Sequence, residues 1–415
     1  MTPARWSYPA LAGAFVLAAC TSPPGSRPAG GESRVEPLVL AHPEAPRDGR
    51  LAVAAVFPAV GRYALSGIQS LNGARLAIDD INDAGGLGGR QLALLEYPIG
   101  SYFLDAREAA VLAADAGALA IVGSNSSDLS IAIAEEAEAR GMVQVTNVST
   151  AKDLTFDPAT GRSRRFVFRV CSSDGVMGAL LAAFARDDLG ARRAAVLYEV
   201  GRTYSTRLAR SFVDRFNDPG RTVTSAEFVY LALETDFRAQ LREVQAFAPD
   251  VLFLPGSFTD ATLIARQAEP LGLRATLLGA DAWSSPLLFK RGGPSRASHF
   301  LDHCSPPATF HERYGRVFGH PTQGCRAALA YDAVRAIAAG VRSLGRLEAE
   351  DLDSGLSTTR LRLRDAVAAA DFDGLTGRVR FDERGDRPTG MAVMAVVPQA
   401  GGGYETRVES WVGGH

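Results

Sequence analysis

From residue 51 onward one unit keeps returning: a short apolar run, a turn, then a stretch whose apolar residues recur every three to four positions. "LAVAAVFPAV" (51–60) is apolar almost throughout, the pattern of a strand covered on both faces. In the helix expected near 69–83, Leu71, Ala74, Ile78 and Ile81 fall on one stripe, and "AGGLGGR" stops it with glycines. "QLALLEY" reads as a strand, 104–116 as a helix, "ALAIVG" as a strand, 127–140 as a helix and "MVQVTN" as a strand. A series of this kind calls for a parallel sheet with helices on both faces. After "RFVFRV" (165–170) the rhythm restarts, with helices at 174–188, 203–217, 236–246 and 260–271. The strands "RRAAVLYE", "TVTSAEFV", "DVLFLPG" and "ATLLGAD" alternate with them. Two such series predict an α/β protein of two doubly wound, parallel-sheet lobes. The remainder holds a long helix at 325–344, another near 358–370, "GRVRF" and "MAVMAVVP", and is too short for a third lobe. It is expected to add elements to both.

The start of the chain reads differently. "MTPARWSYPALAGAFVLAAC" has a basic residue at Arg5, an apolar run from Leu11 to Ala19, then Cys20. A membrane-spanning helix needs about 20 apolar residues, so this shorter run reads as a secretion signal over 1–19. "LAAC" resembles the lipobox of bacterial lipoproteins, which implies cleavage before Cys20 and lipid attachment to it. Thr21 follows where the retention rule of many Gram-negative bacteria would favour Asp, so the resemblance implies a periplasm-facing anchor in the outer membrane. Residues 21–50 are rich in proline, glycine and serine and read as a flexible tether, within which "VEPLVLA" can stick to the folded body.

Net charge is −2, with 44 basic and 46 acidic residues, and no broad pull toward nucleic acid is expected. The glycines of "GGLGGR" follow a helix and precede a strand, the reverse of what a pyrophosphate-binding turn needs. There is no Walker sequence, no GxSxG and no HExxH, so no enzyme and no cofactor is expected. His299, His303 and Cys304 could in principle hold a metal, but without a helical stripe or an acidic partner they read as a solvated loop. "IVGSNSSDLSIAIAEE" (121–136) asks more. Ser126 and Ser127 stand where a buried strand gives way to a helix, and hydroxyls there either cap the helix or help its free N–H groups hold an anion.

Several stretches then line up with one family. "SGIQSLNGARLAIDDINDAGGLGGRQL", "AIVGSNSSDLSIAIAEEAEARGM", "FVFRVCSSDGVMGALLAAFARDDLGARRAAVLYE", "DATLIARQAEPLGLRATLLGADAW" and "FDGLTGRVRFDERGD" occur in its order. Together they resemble the leucine/isoleucine/valine-binding proteins, type I periplasmic binding proteins, over about residues 51–400. The resemblance implies two lobes, about 51–168 plus 290–380 and 169–289 plus 381–415, crossed near 168–172, 284–292 and 378–388. It implies an amino-acid carboxylate at Ser126 and Ser127, helped by Ser149 and Thr150, with Asp281 on the ammonium. Tyr204 falls at the cleft edge, and Ser66, Ser257 and Phe258 on cleft-facing loops. There are departures: Arg62 replaces a usual proline, Ser66 a common aromatic, Ser205 a glycine, and Asp128 sets a negative charge beside the carboxylate site.

Two functions follow from this reading. One is a lipid-anchored receptor that hands an amino acid to an ABC permease; the other is a regulatory or scaffolding lipoprotein on the same fold, such as an activator of peptidoglycan synthases. In an oxidising envelope Cys304 and Cys325 are the expected disulfide pair, with Cys171 a buried thiol at the end of an apolar strand.

Overall fold

Both apolar series become parallel sheets. The computed structural model describes residues 37–413 except 219, 221, 286, 291 and 323, so the signal segment, Cys20 and the tether up to residue 36 lie outside the described residues. The first lobe contains β1 (Leu51–Pro58), β2 (Leu92–Ile99), β3 (Ala120–Gly123), β4 (Val143–Thr146) and β5 (Val167–Arg169). They lie in the order β2-β1-β3-β4-β5, all parallel. Every residue of β1 is buried, and alternate side chains go to opposite faces of the sheet. Val53, Ala55 and Phe57 enter the core under α1 (Ala64–Asp83), while Ala52, Ala54 and Val56 enter the one under α2 (Phe103–Asp115) and α3 (Ser127–Arg140).

In the second lobe lie α4 (Asp174–Ala183), β6 (Arg193–Glu199), α5 (Thr203–Phe216), β7 (Thr224–Tyr230), α6 (Arg238–Phe247), β8 (Val251–Phe253), α7 (Phe258–Ala268), β9 (Thr276–Gly279) and β10 (Ser298–Asp302). The chain then returns to the first lobe for α8 (Ala308–Phe318), α9 (Arg326–Ser343) and α10 (Leu356–Ala368), and Leu329, Val334, Ile337, Leu363 and Val367 complete the core under α1. Finally β11 (Met391–Pro398) and β12 (Tyr404–Val412) add an antiparallel edge to the second sheet, ordered β12-β11-β10-β9-β8-β6-β7.

The lobes are joined by three crossings: after β5, after β10 and before β11. The middle one falls later than the sequence suggests. β10 pairs with β9 and β11, so the chain stays in the second sheet to Asp302 instead of crossing at 284–292. Its sequence, "SHFLD", carries His299 and Asp302 and hides a strand buried along its whole length. Cys304 and Cys325 are joined across this crossing, Cα to Cα 5.7 Å, and Cys171 is a buried free thiol.

The last part of the tether is docked. Leu40 donates its N–H to Pro98 O at 2.8 Å, and Gly100 donates to Leu38 O at 3.0 Å. Leu38 N–H meets the buried carboxylate of Asp105 at 2.7 Å, and the other oxygen of Asp105 accepts from Tyr102 N–H at 3.0 Å. A buried acid needs such donors, and here a tether residue supplies one of them.

Candidate functional site

The loops that leave the carboxyl ends of both sheets face one another, which is where open α/β sheets take ligands. In the first lobe the geometry starts at Gly123. Its φ of 132° is open to glycine, and a Cβ there would stand 2.3 Å from Val56 O. Ser130 Oγ ties the turn down, bonding Ser124 N and Ser124 O at 3.0 Å each and Ser149 Oγ at 2.5 Å. Thr146 Oγ1 donates to Ser124 O at 2.5 Å. The Ser149 hydroxyl is thus spent inside the lobe.

Ser126 occupies the N-cap position of α3, yet its hydroxyl makes no capping bond. Ser127 opens the helix, and its hydroxyl is buried without a partner, as is that of Thr150. Capping therefore does not account for these two hydroxyls. Arg169, fully buried, fixes the Thr150 loop: its Nη1 donates to Thr150 O at 2.7 Å and Ala151 O at 2.9 Å, while Nε meets Asp386 at 2.6 Å.

In the second lobe Asp281 follows β9 and is engaged. Tyr204 donates its hydroxyl to Oδ1 at 2.8 Å, and His303 Nε2 lies 3.7 Å from Oδ2. Arg326, from the first lobe, donates to the backbone oxygen of Asp281 at 3.0 Å and also to Ser284 O. Burial pushes the Asp281 carboxyl up, but His303, the Arg326 charge and the Tyr204 hydroxyl outweigh it and hold it below its ordinary value. Burial, with Asp281 beside it, raises the Tyr204 phenol well above its usual range.

Asp174, which the sequence reading did not single out, is the acid left over. It lies in the first turn of α4, buried, with neither carboxylate oxygen in a hydrogen bond. Burial pushes its carboxyl up to about 7; the Thr150 hydroxyl, close by but short of hydrogen-bond geometry, and the Arg169 charge draw it back only in part, and Asp281 pushes it further. "CSSDGVMG" reads as an ordinary helix start, in which an acid in the first turn is favoured by the helix dipole. Only the packing of the two lobes shows that water is excluded from it.

Of the remaining expected site residues, Ser257 caps α7 through a reciprocal box with Asp260, its hydroxyl 2.9 Å from Asp260 Oδ2. Phe258 packs on the core of the second lobe. Ser66 faces the cleft: its hydroxyl donates to Tyr63 O and accepts from Asn125 Nδ2 at 2.5 Å. His299 and His303 are buried, not in a solvated loop, with His299 Nδ1 2.9 Å from Glu409 and Cys304 taken by its disulfide. Among the described residues no cluster of three or more His, Cys, Asp or Glu could hold a metal ion.

The cleft mouth is bridged by charge. Arg62 in the loop after β1 reaches Glu199 at 3.0 Å and Asp260 at 2.6 Å in the second lobe. Arg202 returns the contact: it pairs with Glu199 at 3.1 Å, donates to the Tyr63 hydroxyl, lies over the Tyr63 ring at 5.2 Å and stands 4.0 Å from Asp128.

Two lobes with three crossings and a polar cleft between their sheet ends define an extracytoplasmic solute-binding fold. The chain belongs to the periplasmic binding protein family, whose model matches residues 51–402. It is 26% identical over 346 residues to the Leu/Ile/Val-binding protein BraC3 of Rhizobium johnstonii, covering 81% of this chain and 88% of that one. Among solved structures it is similar to the leucine-binding protein LivK of Thermotoga maritima: 27% identity, TM-score 0.75, 88% of this chain and 99% of the other. A solute-binding protein of R. palustris in complex with benzoate shares the fold at 19% identity and a TM-score of 0.71, over 87% of this chain and 96% of the other.

Proposed function

We propose that this protein is an amino-acid receptor of an ABC importer, binding the zwitterion in the interlobe cleft. One observation carries the reading: the buried hydroxyls of Ser127 and Thr150 and the buried carboxylate of Asp174 lack a well-formed hydrogen bond within the protein, and the Thr150 hydroxyl lies beside that carboxylate. Donors at the start of a helix suit a carboxylate, and a desolvated acid suits an ammonium. Ser126 adds a donor beside Ser127. Asp281, oriented by Tyr204 and His303, is the second acid facing the ammonium. The names of the relatives, Leu/Ile/Val-binding and leucine-binding, support the ligand class. The cargo would pass to a permease, with the protein held at the membrane through lipid on Cys20 and turned toward the periplasm.

Mass spectrometry of ligand co-purified with gently isolated protein, followed by calorimetry with the twenty amino acids, tests the reading. A bound amino acid whose affinity falls on Asp174→Asn supports it. A protein that takes up no small molecule would instead fit the regulatory or scaffolding role.

A further inference from the structure

Resting on the amino-acid reading, we infer that the chamber for the ligand's side chain selects a small polar group carrying a hydrogen-bond donor, and rejects branched aliphatic ones. With the carboxylate at Ser127 and Thr150 and the ammonium at Asp174, the side chain must run past Ser126 toward the mouth. Polar tips meet one another on that side. Tyr63 interacts with the Ser126 side chain and turns its hydroxyl to Arg202. Arg202 sits between Glu199 and Asp128, the residue after Ser127. Arg326 closes the far side, with its guanidinium on two carbonyls of the second lobe.

The decisive group is Asn125, the residue before Ser126. Its Nδ2 is spent on Ser66 Oγ, and its Oδ1 is buried with no partner. A buried acceptor left unpaired is costly, and a ligand hydroxyl or carboxamide N–H would satisfy it. A leucine side chain would not. It would also lie against Arg202 and Glu199, removing water from charges while offering them nothing. A site built around such a group discriminates strongly against ligands that lack the matching donor. The preferred ligands are therefore serine, threonine, asparagine or glutamine.

The test is calorimetry of the full chain with these four amino acids against alanine, leucine, isoleucine and valine. The inference expects at least one polar member to bind ten-fold or more tighter than leucine, and Asn125→Leu to shrink that ratio below three. Circular dichroism and thermal melting of the variant confirm that its fold is kept. If leucine, isoleucine or valine binds wild-type protein as well as any polar member, the inference is wrong while the amino-acid reading stands. If none of the eight binds but another of the twenty amino acids does, the inference fails and the amino-acid reading stands; if none of the twenty binds, both fail.

Discussion

Replacing Asp174 by Asn should make the empty protein more stable and abolish the amino-acid binding proposed above. The carboxyl titrates at about 7 in the folded protein against an ordinary 3.8. An acid whose folded value is raised holds its proton more tightly folded than unfolded. Stability therefore falls as pH rises from about 4 to about 7 and stays reduced above that. At about 1.4 kcal/mol per pH unit, the penalty at pH 8 approaches ~4 kcal/mol. Asn keeps the shape and removes the charge, so urea unfolding should show a gain of about 2–4 kcal/mol at pH 8 and almost none at pH 4. Ligand affinity should move the other way, by a hundred-fold or more, since a buried ammonium loses its counter-charge at a cost of about 2–5 kcal/mol. Because an ammonium requires the ionised acid, binding to wild type should release close to one proton at pH 6 and much less at pH 8, which calorimetry in two buffers of different ionisation enthalpy would read. An Asn variant that is less stable than wild type at pH 8, or that binds the ligand unchanged, refutes the argument.

Four smaller predictions follow from the same neighbourhood and its supports. Tyr204→Phe removes a donor from the depressed carboxyl of Asp281, so about 1.5–3 kcal/mol should be lost near neutral pH. That loss should shrink in acid as the depressed Asp281 carboxyl takes up its proton, as a series of denaturant curves from pH 7 downward would show. Arg169→Met takes the guanidinium from partly buried Asp386, which keeps the Thr155 hydroxyl, and unties the Thr150 and Ala151 carbonyls; chemical denaturation should show about 1–3 kcal/mol lost. Changing both Cys304 and Cys325 to Ser opens a loop with a separation of 21 residues and should cost about 3 kcal/mol, read as a lower melting temperature that reductant no longer shifts. Asp105→Ala removes the acceptor shared by the Leu38 and Tyr102 N–H groups; about 1 kcal/mol should be lost, and hydrogen exchange at Leu38–Leu40 should rise.

The fold was open to reading because its strands are covered on both faces and so stand out as apolar runs between periodic helices. β10 escaped because three of its five residues are polar and find partners only in the folded protein: His299 with Glu409, and Asp302 with Ser284. β12 escaped too, as an edge strand largely exposed along its length. Tyr204 and Asp281 are brought together by a hydrogen bond and Ser127 and Thr150 keep unspent hydroxyls, but Ser149 and Ser257 are absorbed by local bonds that no spacing shows. Asp174 and Asn125 were invisible for a different reason. Each sits beside a helix start where its residue type needs no explanation, and its significance is the lack of a partner, a property of the assembled lobes alone.

The disulfide has a mechanical side. It joins the end of β10 in one lobe to the start of α9 in the other, and the residues flanking it inward, His303 and Arg326, touch opposite sides of Asp281. A covalent bolt at one crossing makes that corner the pivot. Points beside a pivot hardly travel, while points at the free rim sweep the full arc. Arg62 and Glu199 would then part first and furthest when the jaws open, and the Asp281 corner would keep its shape throughout. Under the proposed function, the second of the two acids would thus be mounted on the axle, and the charged pairs of the mouth on the gate.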